Sequence, residues 1–188
     1  VQELESFFWI RYNTCQLEAI KKSYTKDFLI ITGGPGTGKT TTLNAIISLF
    51  EQQGMLVKIS APTGRAAKRI SDLTGYEAKT IHRMLEFVPS NSDRPMFKHN
   101  ENDPLDCDVL IIDEMSMVDV VLFANLLHAL RLGCKIIMVG DSDQLPPVGA
   151  GNVLKDLIDC EMLPVVQLNE IFRQSLESNI IKNAIWKL

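Results

Sequence analysis

What this chain of 188 residues lacks narrows its reading before any motif is considered. Its four cysteines, Cys15, Cys107, Cys134 and Cys160, contain no C-x-x-C pair. Such spacing argues against a disulfide frame or a zinc site, and predicts reduced, mostly buried thiols in a cytoplasmic protein. No apolar run is long enough to span a bilayer and no signal-peptide pattern is visible, so no membrane partner is expected. Neither sign of charge dominates. With 19 Lys and Arg against 23 Asp and Glu the net charge is −4, so any nucleic-acid contact must come from a local patch. Internal repeats and low-complexity stretches are absent too. What remains is an ordinary globular composition, 46% hydrophobic and 22% charged, long enough for one domain with a small insertion. The first residue is Val1, which leads us to expect a piece of a longer protein.

The most informative stretch is Gly33-Gly34-Pro35-Gly36-Thr37-Gly38-Lys39-Thr40, which fits the phosphate-binding loop pattern G-x-x-x-x-G-K-[ST]. Phe28-Leu29-Ile30-Ile31 before it reads as a buried strand. Residues 41–53 after it place Leu43, Ile46, Ile47 and Phe50 at helical spacing. A strand, a glycine-rich turn and a helix N-terminus together form an anion site, because backbone N–H groups and the helix dipole both favour negative charge. In this reading Gly34, Pro35, Gly36, Thr37 and Gly38 wrap the phosphates. Lys39 reaches the β- and γ-phosphates of ATP, the Thr40 hydroxyl holds Mg²⁺, and Thr41 follows on the same helical turn. The alternative is a glycine-rich turn with no ligand; fixed spacing and flanking pattern together disfavour it.

Upstream, Asn13 or Thr14 caps a helix running to about Tyr24. Gln16 near its start has two readings, an adenine contact through an amide that both donates and accepts, or a solvated surface glutamine. Downstream, Gly54 stops the first crossover helix, and Leu56-Val57-Lys58-Ile59-Ser60 reads as a strand. Thr63 caps a basic helix, and Thr80-Ile81-His82-Arg83-Met84-Leu85 starts another. Residues 58–83 carry six Lys and Arg against Asp72 and Glu77. That local excess suits a backbone-phosphate surface, although a solvated helix face is the commoner meaning of such a run. Residues 86–107 break the pattern with Pro89, Pro95 and Pro104 and the turn Ser90-Asn91-Ser92-Asp93. Their arms, 85–88 and 96–99, are expected either to pair as an inserted hairpin or to form a surface loop.

Asp108-Val109-Leu110-Ile111-Ile112-Asp113-Glu114 is a buried parallel strand ending in two carboxylates, at the edge where α/β sheets bind ligands. Asp113 suits Mg²⁺, and Glu114 suits taking a proton from attacking water. Ser116 and Asp119 look like the capped start of a helix ending near Gly133. Residues 135–139 are the next buried strand, leading to a polar loop in which Gln144 is placed to sense a γ-phosphate. Asn152 starts a short helix, residues 165–168 are a fifth strand, Arg173 offers a charge near the same edge, and residues 179–188 read as a terminal helix.

Taken together, GGPGTGKT, APTGRAA, TIHRML, DEMSM and GDSDQLPPVGAG resemble the ordered motifs of superfamily 1B DNA helicases, most closely the RecD-like, exonuclease V alpha-subunit group. The resemblance runs from Gln16 to Gln174. It implies an α/β P-loop NTPase fold of RecA type, a mostly parallel sheet flanked by helices with a small hairpin-like insertion. On it, residues 1–188 are the first, ATP-binding motor domain, and residues 86–107 are the inserted β-hairpin of the 1B type. Function would be ATP-driven 5′-to-3′ movement on single-stranded DNA, with other exonuclease V-type subunits as further partners. Gln16 matches the adenine reader; Lys39, Thr40, Asp113 and Glu114 the nucleotide and magnesium residues; Gln144 the link between γ-phosphate and DNA; and Arg173 a phosphate-contacting arginine. Pro62, Thr63, Arg65, Thr80 and His82 fall where the family touches the DNA backbone. The family's second motor domain is absent from this sequence. Two other classes compete, a nucleotide-dependent assembly module without motor activity and a P-loop small-molecule kinase. Glu114 speaks against the kinase, which must exclude water.

Overall fold

Three runs of this sequence are apolar at nearly every position, and strands of that kind need cover on both faces. In the structure, a computed structural model describing residues 11–88 and 96–170, they become β1 (Phe28–Thr32), β6 (Val109–Ile112) and β7 (Lys135–Gly140). With β2 (Val57–Ala61), β3 (Ala78–Thr80) and β8 (Val165–Gln167) they form one sheet in the order β3-β2-β6-β7-β1-β8. Every pairing in it is parallel.

Side chains alternate between two cores because the strand period is two. Leu29, Ile31, Val109, Ile111, Ile137 and Val139 pack with α1 (Thr14–Thr25), α2 (Lys39–Glu51) and α3 (Gly64–Thr74). Ile30, Leu110, Ile112, Ile136 and Met138 face the other way. They meet α4 (Ile81–Met84), α5 (Val120–His128) and α6 (Val153–Asp159). The expected α/β architecture is therefore present, a six-stranded parallel sheet between two helical layers.

Local chemistry sets the helix ends. Asn13 caps α1 through a reciprocal box: its Oδ1 accepts from Gln16 N–H at 2.8 Å, and Gln16 Oε1 accepts from Asn13 N–H at 3.0 Å. Thr63, Thr80, Asp119 and Asn152 cap α3, α4, α5 and α6 through their side-chain oxygens. One expectation fails here. Ser116 caps nothing; it lies buried in a 3-10 turn, Met115–Met117, and donates to Gln144 Oε1 at 3.3 Å. Nor does α5 reach Gly133. It ends at His128, because Leu105 N–H takes the Ala129 carbonyl at 2.7 Å and Leu105 bridges to Leu130. Strand β3 was not anticipated, since three residues with one apolar side chain give no periodic signal.

The two arms of the insert pair antiparallel, as β4 (Phe87–Val88) and β5 (Met96–Phe97), with Phe87 opposite Phe97 and Val88 opposite Met96. Lys98 N–H to Glu86 O and His99 N–H to Leu85 O continue the pairing at 3.0 and 3.1 Å. Pro89, Pro95 and the polar turn between them lie outside the described residues, as do Arg173 and residues 179–188. All four cysteines are free. Cys107 and Cys134 are buried with their Sγ atoms 3.5 Å apart, Cys15 is half-buried, and Cys160 is exposed. Among the described residues no helix is long and apolar enough to cross a membrane.

Phe50 is fully buried in the α1–α2–α3 core, at the last turns of α2. Phe50→Ala should lower unfolding stability by about 3–5 kcal/mol, read from denaturant midpoints, with Leu132→Ala at a fully exposed site as the near-neutral control.

Candidate active site

Parallel pairing brings the carboxyl ends of all six strands to one edge, and the sequence-selected residues gather there. Residues 33–40 join β1 to α2. Gly36 and Gly38 take φ of 78° and 84°, left-handed values that a Cβ would oppose, and Gly38 is itself the N-cap of α2. Thr37 Oγ1 closes the loop on Gly34 O at 2.8 Å. Lys39 Nζ turns back into the loop, donating to the carbonyls of Gly33 and Gly34. A cation held among inward-turned carbonyls at a helix N-terminus is ready to exchange them for anionic oxygens. Pro35 and Gly36 are exposed at the rim, while Thr40 and Thr41 are half-buried on the first turn of α2.

Gln16 is not the solvated glutamine of the bland reading. It is 1% exposed, and its Nε2 points to Gly38 O at 3.5 Å. The capping box matters for this side chain, because Asn13 N–H fixes which end of the amide is oxygen. One Oε1 lone pair and one Nε2 hydrogen remain for another partner beside the loop.

Two strands away, Asp113 and Glu114 directly follow β6. Asp113 N–H donates to Ser60 O at 2.9 Å, which continues the β2–β6 ladder one step beyond Ile112. Burial, and then the neighbouring Glu114 charge, push the Asp113 carboxyl up to about 6; Arg69 and Lys39 pull in the opposite direction. The fold thus holds a carboxylate where its own surroundings under-compensate it, and where Lys39 is close enough to be felt. Glu114 takes left-handed backbone angles, φ 54° and ψ 43°, at a cost on the order of 1 kcal/mol for a non-glycine residue. Its Oε1 accepts from Arg69 Nη1 of α3 at 3.3 Å. Sequence reasoning passed over Arg69, although its four-residue spacing from Arg65 in a basic helix was a readable signal.

Gln144, after β7, is exposed but not idle. It accepts from Ser116 and its Nε2 faces Asp141 Oδ2 at 3.5 Å, so the loops after β6 and β7 are joined. Thr32 performs a similar service between β1 and β7, donating to Ser142 Oγ at 3.2 Å.

The remaining candidates lie on the other half of the edge. Pro62, Thr63 and Arg65 follow β2, and Thr80 and His82 follow β3, with Ala61 and Thr80 in register. Arg65 and His82 are exposed, and the His82 ring leans on Phe97 of β5 with centroids 5.9 Å apart. The structure therefore brings together residues 33–40, Gln16, Asp113 and Glu114 as one group and sets Pro62, Thr63, Arg65, Thr80 and His82 beside it. Arg69 spans the two groups. Among the described residues no cluster of three or more His, Cys, Asp or Glu forms a metal cage. Mg²⁺ with nucleotide is held differently, through one or two protein oxygens plus phosphates and water. The Thr40 hydroxyl and the Asp113 carboxylate are a donor set of that kind.

Residues 16–150 match the AAA domain family. The chain belongs to that family. Over 156 residues this AAA domain is 42% identical to the ATP-dependent RecD2 DNA helicase of Deinococcus radiodurans, a match covering 83% of this chain and 21% of that protein. To the RecBCD enzyme subunit RecD of Mycolicibacterium smegmatis it is 38% identical, covering 77% of this chain and 30% of the relative. The solved Bacteroides Pif1 bound to ssDNA superposes with a TM-score of 0.61 at 26% identity, over 88% of this chain and 43% of Pif1. The same helicase in complex with ADP-AlF4 gives 0.61 at 25% identity, over the same shares. These likenesses bear out the RecD-like, superfamily 1B resemblance of the motifs. This AAA domain spans about a fifth to a third of the length of the curated relatives it matches.

The raised Asp113 carboxyl predicts a signed pH effect in metal- and nucleotide-free buffer. Between about pH 4 and pH 6 the folded state holds this proton more tightly than the unfolded chain, so stability falls as pH climbs through that window. Asp113→Asn escapes this penalty. It should be the more stable protein above about pH 6, by up to about 3 kcal/mol, with the advantage fading toward pH 4. Urea midpoints at several pH values check this; an advantage independent of pH would contradict it.

Proposed function

We propose that this AAA domain is the ATP-binding and ATP-hydrolysing half of a cytoplasmic 5′-to-3′ DNA motor acting on single-stranded DNA. The observation that carries the reading is the pairing of a phosphate loop, with Lys39 turned into it, and an under-compensated Asp113 beside Glu114 on the same sheet edge. Each group then has a role. Residues 34–38 and the N–H groups at the start of α2 cradle the phosphates. Lys39 exchanges the Gly33 and Gly34 carbonyls for β- and γ-phosphate oxygens, and Gln16 offers its remaining acceptor and donor to the adenine N6 and N7 edge. Thr40 and Asp113 hold Mg²⁺, which when bound neutralises phosphate charge. Glu114 takes the proton of a water whose oxygen attacks the γ-phosphorus. As that O–P bond forms, the bond from phosphorus to the β–γ bridging oxygen breaks, leaving ADP and inorganic phosphate. Gln144 orients this end of the site from the loop after β7, held by Ser116.

The DNA surface is assigned to Pro62, Thr63, Arg65, Thr80 and His82, with residues 86–107 as the inserted hairpin of the 1B type. Thr63 and Thr80 each accept one backbone N–H, leaving the hydroxyl hydrogen for a phosphate oxygen. Contacts to the strand backbone carry no sequence preference, which suits a translocating motor. Support for single-stranded DNA and for nucleotide comes from the likeness to Pif1 bound to ssDNA and to Pif1 in complex with ADP-AlF4, and support for other exonuclease V-type subunits from the likeness to the RecBCD enzyme subunit RecD. Arg173, outside the described residues, is kept as a phosphate-contacting candidate.

A ligand that binds only the native state adds stability by mass action, about 2.7 kcal/mol at a hundredfold excess over Kd. Mg²⁺-ATP should therefore raise the melting temperature of the wild type, and Lys39→Ala should lose that rise. Equal shifts would sink the phosphate-loop assignment. Turnover is a separate matter. An arginine supplied across a domain interface is worth about 10³–10⁵ in rate for this chemistry, and stepping needs a second domain to close against. Residues 1–188 alone should consequently show DNA-stimulated ATP turnover slower than the parent protein by about that factor. Parental rates from the isolated chain would refute the claim that it is half of an active site, and a chain that binds ATP while its parent moves on no DNA would favour an assembly module.

A further inference from the structure

Resting on that reading, we infer that Arg69 is a positioning residue that holds Glu114 while no strand is bound, and that a DNA backbone phosphate competes for Arg69 and releases the base. The pair joins the two halves of the edge, since Arg69 lies on α3 behind the candidate DNA residues and Glu114 follows β6, two strands from the strand that leads into the phosphate loop. Among the described residues the Arg69 hydrogen bond is the one to Glu114 Oε1 at 3.3 Å. The arginine side chain is 67% exposed while the glutamate side chain is 20% exposed, so one partner is fixed by the fold and the other faces solvent. Arg65 is four residues earlier on the same helical face and is also exposed, so a strand that reaches Arg65 passes Arg69 within one turn.

Chemistry favours the exchange in one direction. A base must lie within hydrogen-bond reach of the proton it takes, and here one carboxylate oxygen is engaged by a guanidinium. An exposed pair of this kind contributes only about a two- to fivefold preference, whereas a guanidinium fits a phosphate bidentately. A strand therefore wins Arg69, and Glu114 becomes free to serve the water. The left-handed backbone of Glu114 fits this role, because strain of this sort gathers at switch positions.

Fluorescence-anisotropy titration of residues 1–188 with oligo-dT, at low salt and without nucleotide, tests the competition. Glu114→Gln frees Arg69 and should tighten binding about two- to fivefold. Arg69→Ala should weaken binding, and in its background Glu114→Gln should gain nothing. A gain that persists without Arg69 is a general charge effect and overturns the inference, as does a Glu114→Gln protein that binds like the wild type. Absence of any oligo-dT binding by the wild type overturns the DNA reading and this inference with it. Melting temperatures check folding, with Arg69→Gln as the second variant if Arg69→Ala melts early. In the parent protein Arg69→Ala should raise DNA-free ATP turnover and shrink the stimulation by DNA. An unchanged stimulation ratio would mark the pair as structural only.

Discussion

Everything at the carboxyl edge of the sheet depends on the parallel pairing of β6 with β2 on one side and β7 on the other. Parallel strands run their chain direction together, so each contributes its carboxyl end to the same edge and each loop leaves from there. The ladder does not stop at the last strand residue. Asp113 N–H still reaches Ser60 O, and Gly33 N–H still reaches Gly140 O at 3.3 Å. Functional loops therefore start from backbone already fixed by hydrogen bonds. Side chains such as Thr32 and Ser116 then tie neighbouring loops to each other. A site assembled in this way is positioned by the sheet rather than by its own contacts.

Charge at that edge is deliberately incomplete. Asp113 and Glu114 are consecutive, half-buried carboxylates, and among the described residues Arg69 and Lys39 are the cations that act on Asp113. Lys39 is occupied by loop carbonyls and Arg69 by Glu114. Such an arrangement costs stability in the free protein, and in the proposed function a divalent cation and phosphates would offset that cost. It also gives the two cations alternative partners, and a site whose cations can change partner is one that can respond to a ligand.

The opposite half of the edge carries exposed apolar side chains. The β4–β5 arms stand off the sheet with Phe87, Val88 and Met96 exposed, while Phe97 turns inward beneath His82 and against Phe87, with ring centroids 5.9 Å apart in both cases. His82 is thus neither a free surface ring nor a core histidine. It forms a ring contact between the short helix α4 and the insert.

The sequence by itself determined the elements with strong local signals. Continuous apolar runs required strands buried on both faces, G-x-x-x-x-G-K-[ST] required a turn that only glycine tolerates, and Asn13, Thr63, Thr80, Asp119 and Asn152 marked helix starts that the structure keeps. Those features are short-range, set by backbone sterics and side-chain hydrogen bonds within a few residues. Tertiary structure decided the rest. Strand order is invisible in a sequence, so the placement of β6 between β2 and β7, and of β3 at the edge, had to be seen. The same holds for Ser116, drawn out of an apparent capping position by Gln144, 28 residues away. Arg69 was legible as one basic residue among six, but its partner Glu114 lies 45 residues on, and only packing α3 beside the end of β6 makes them a pair. Contacts of that range are fixed by the sheet as a whole, because no local rule tells a charged side chain which distant backbone turn will deliver its partner.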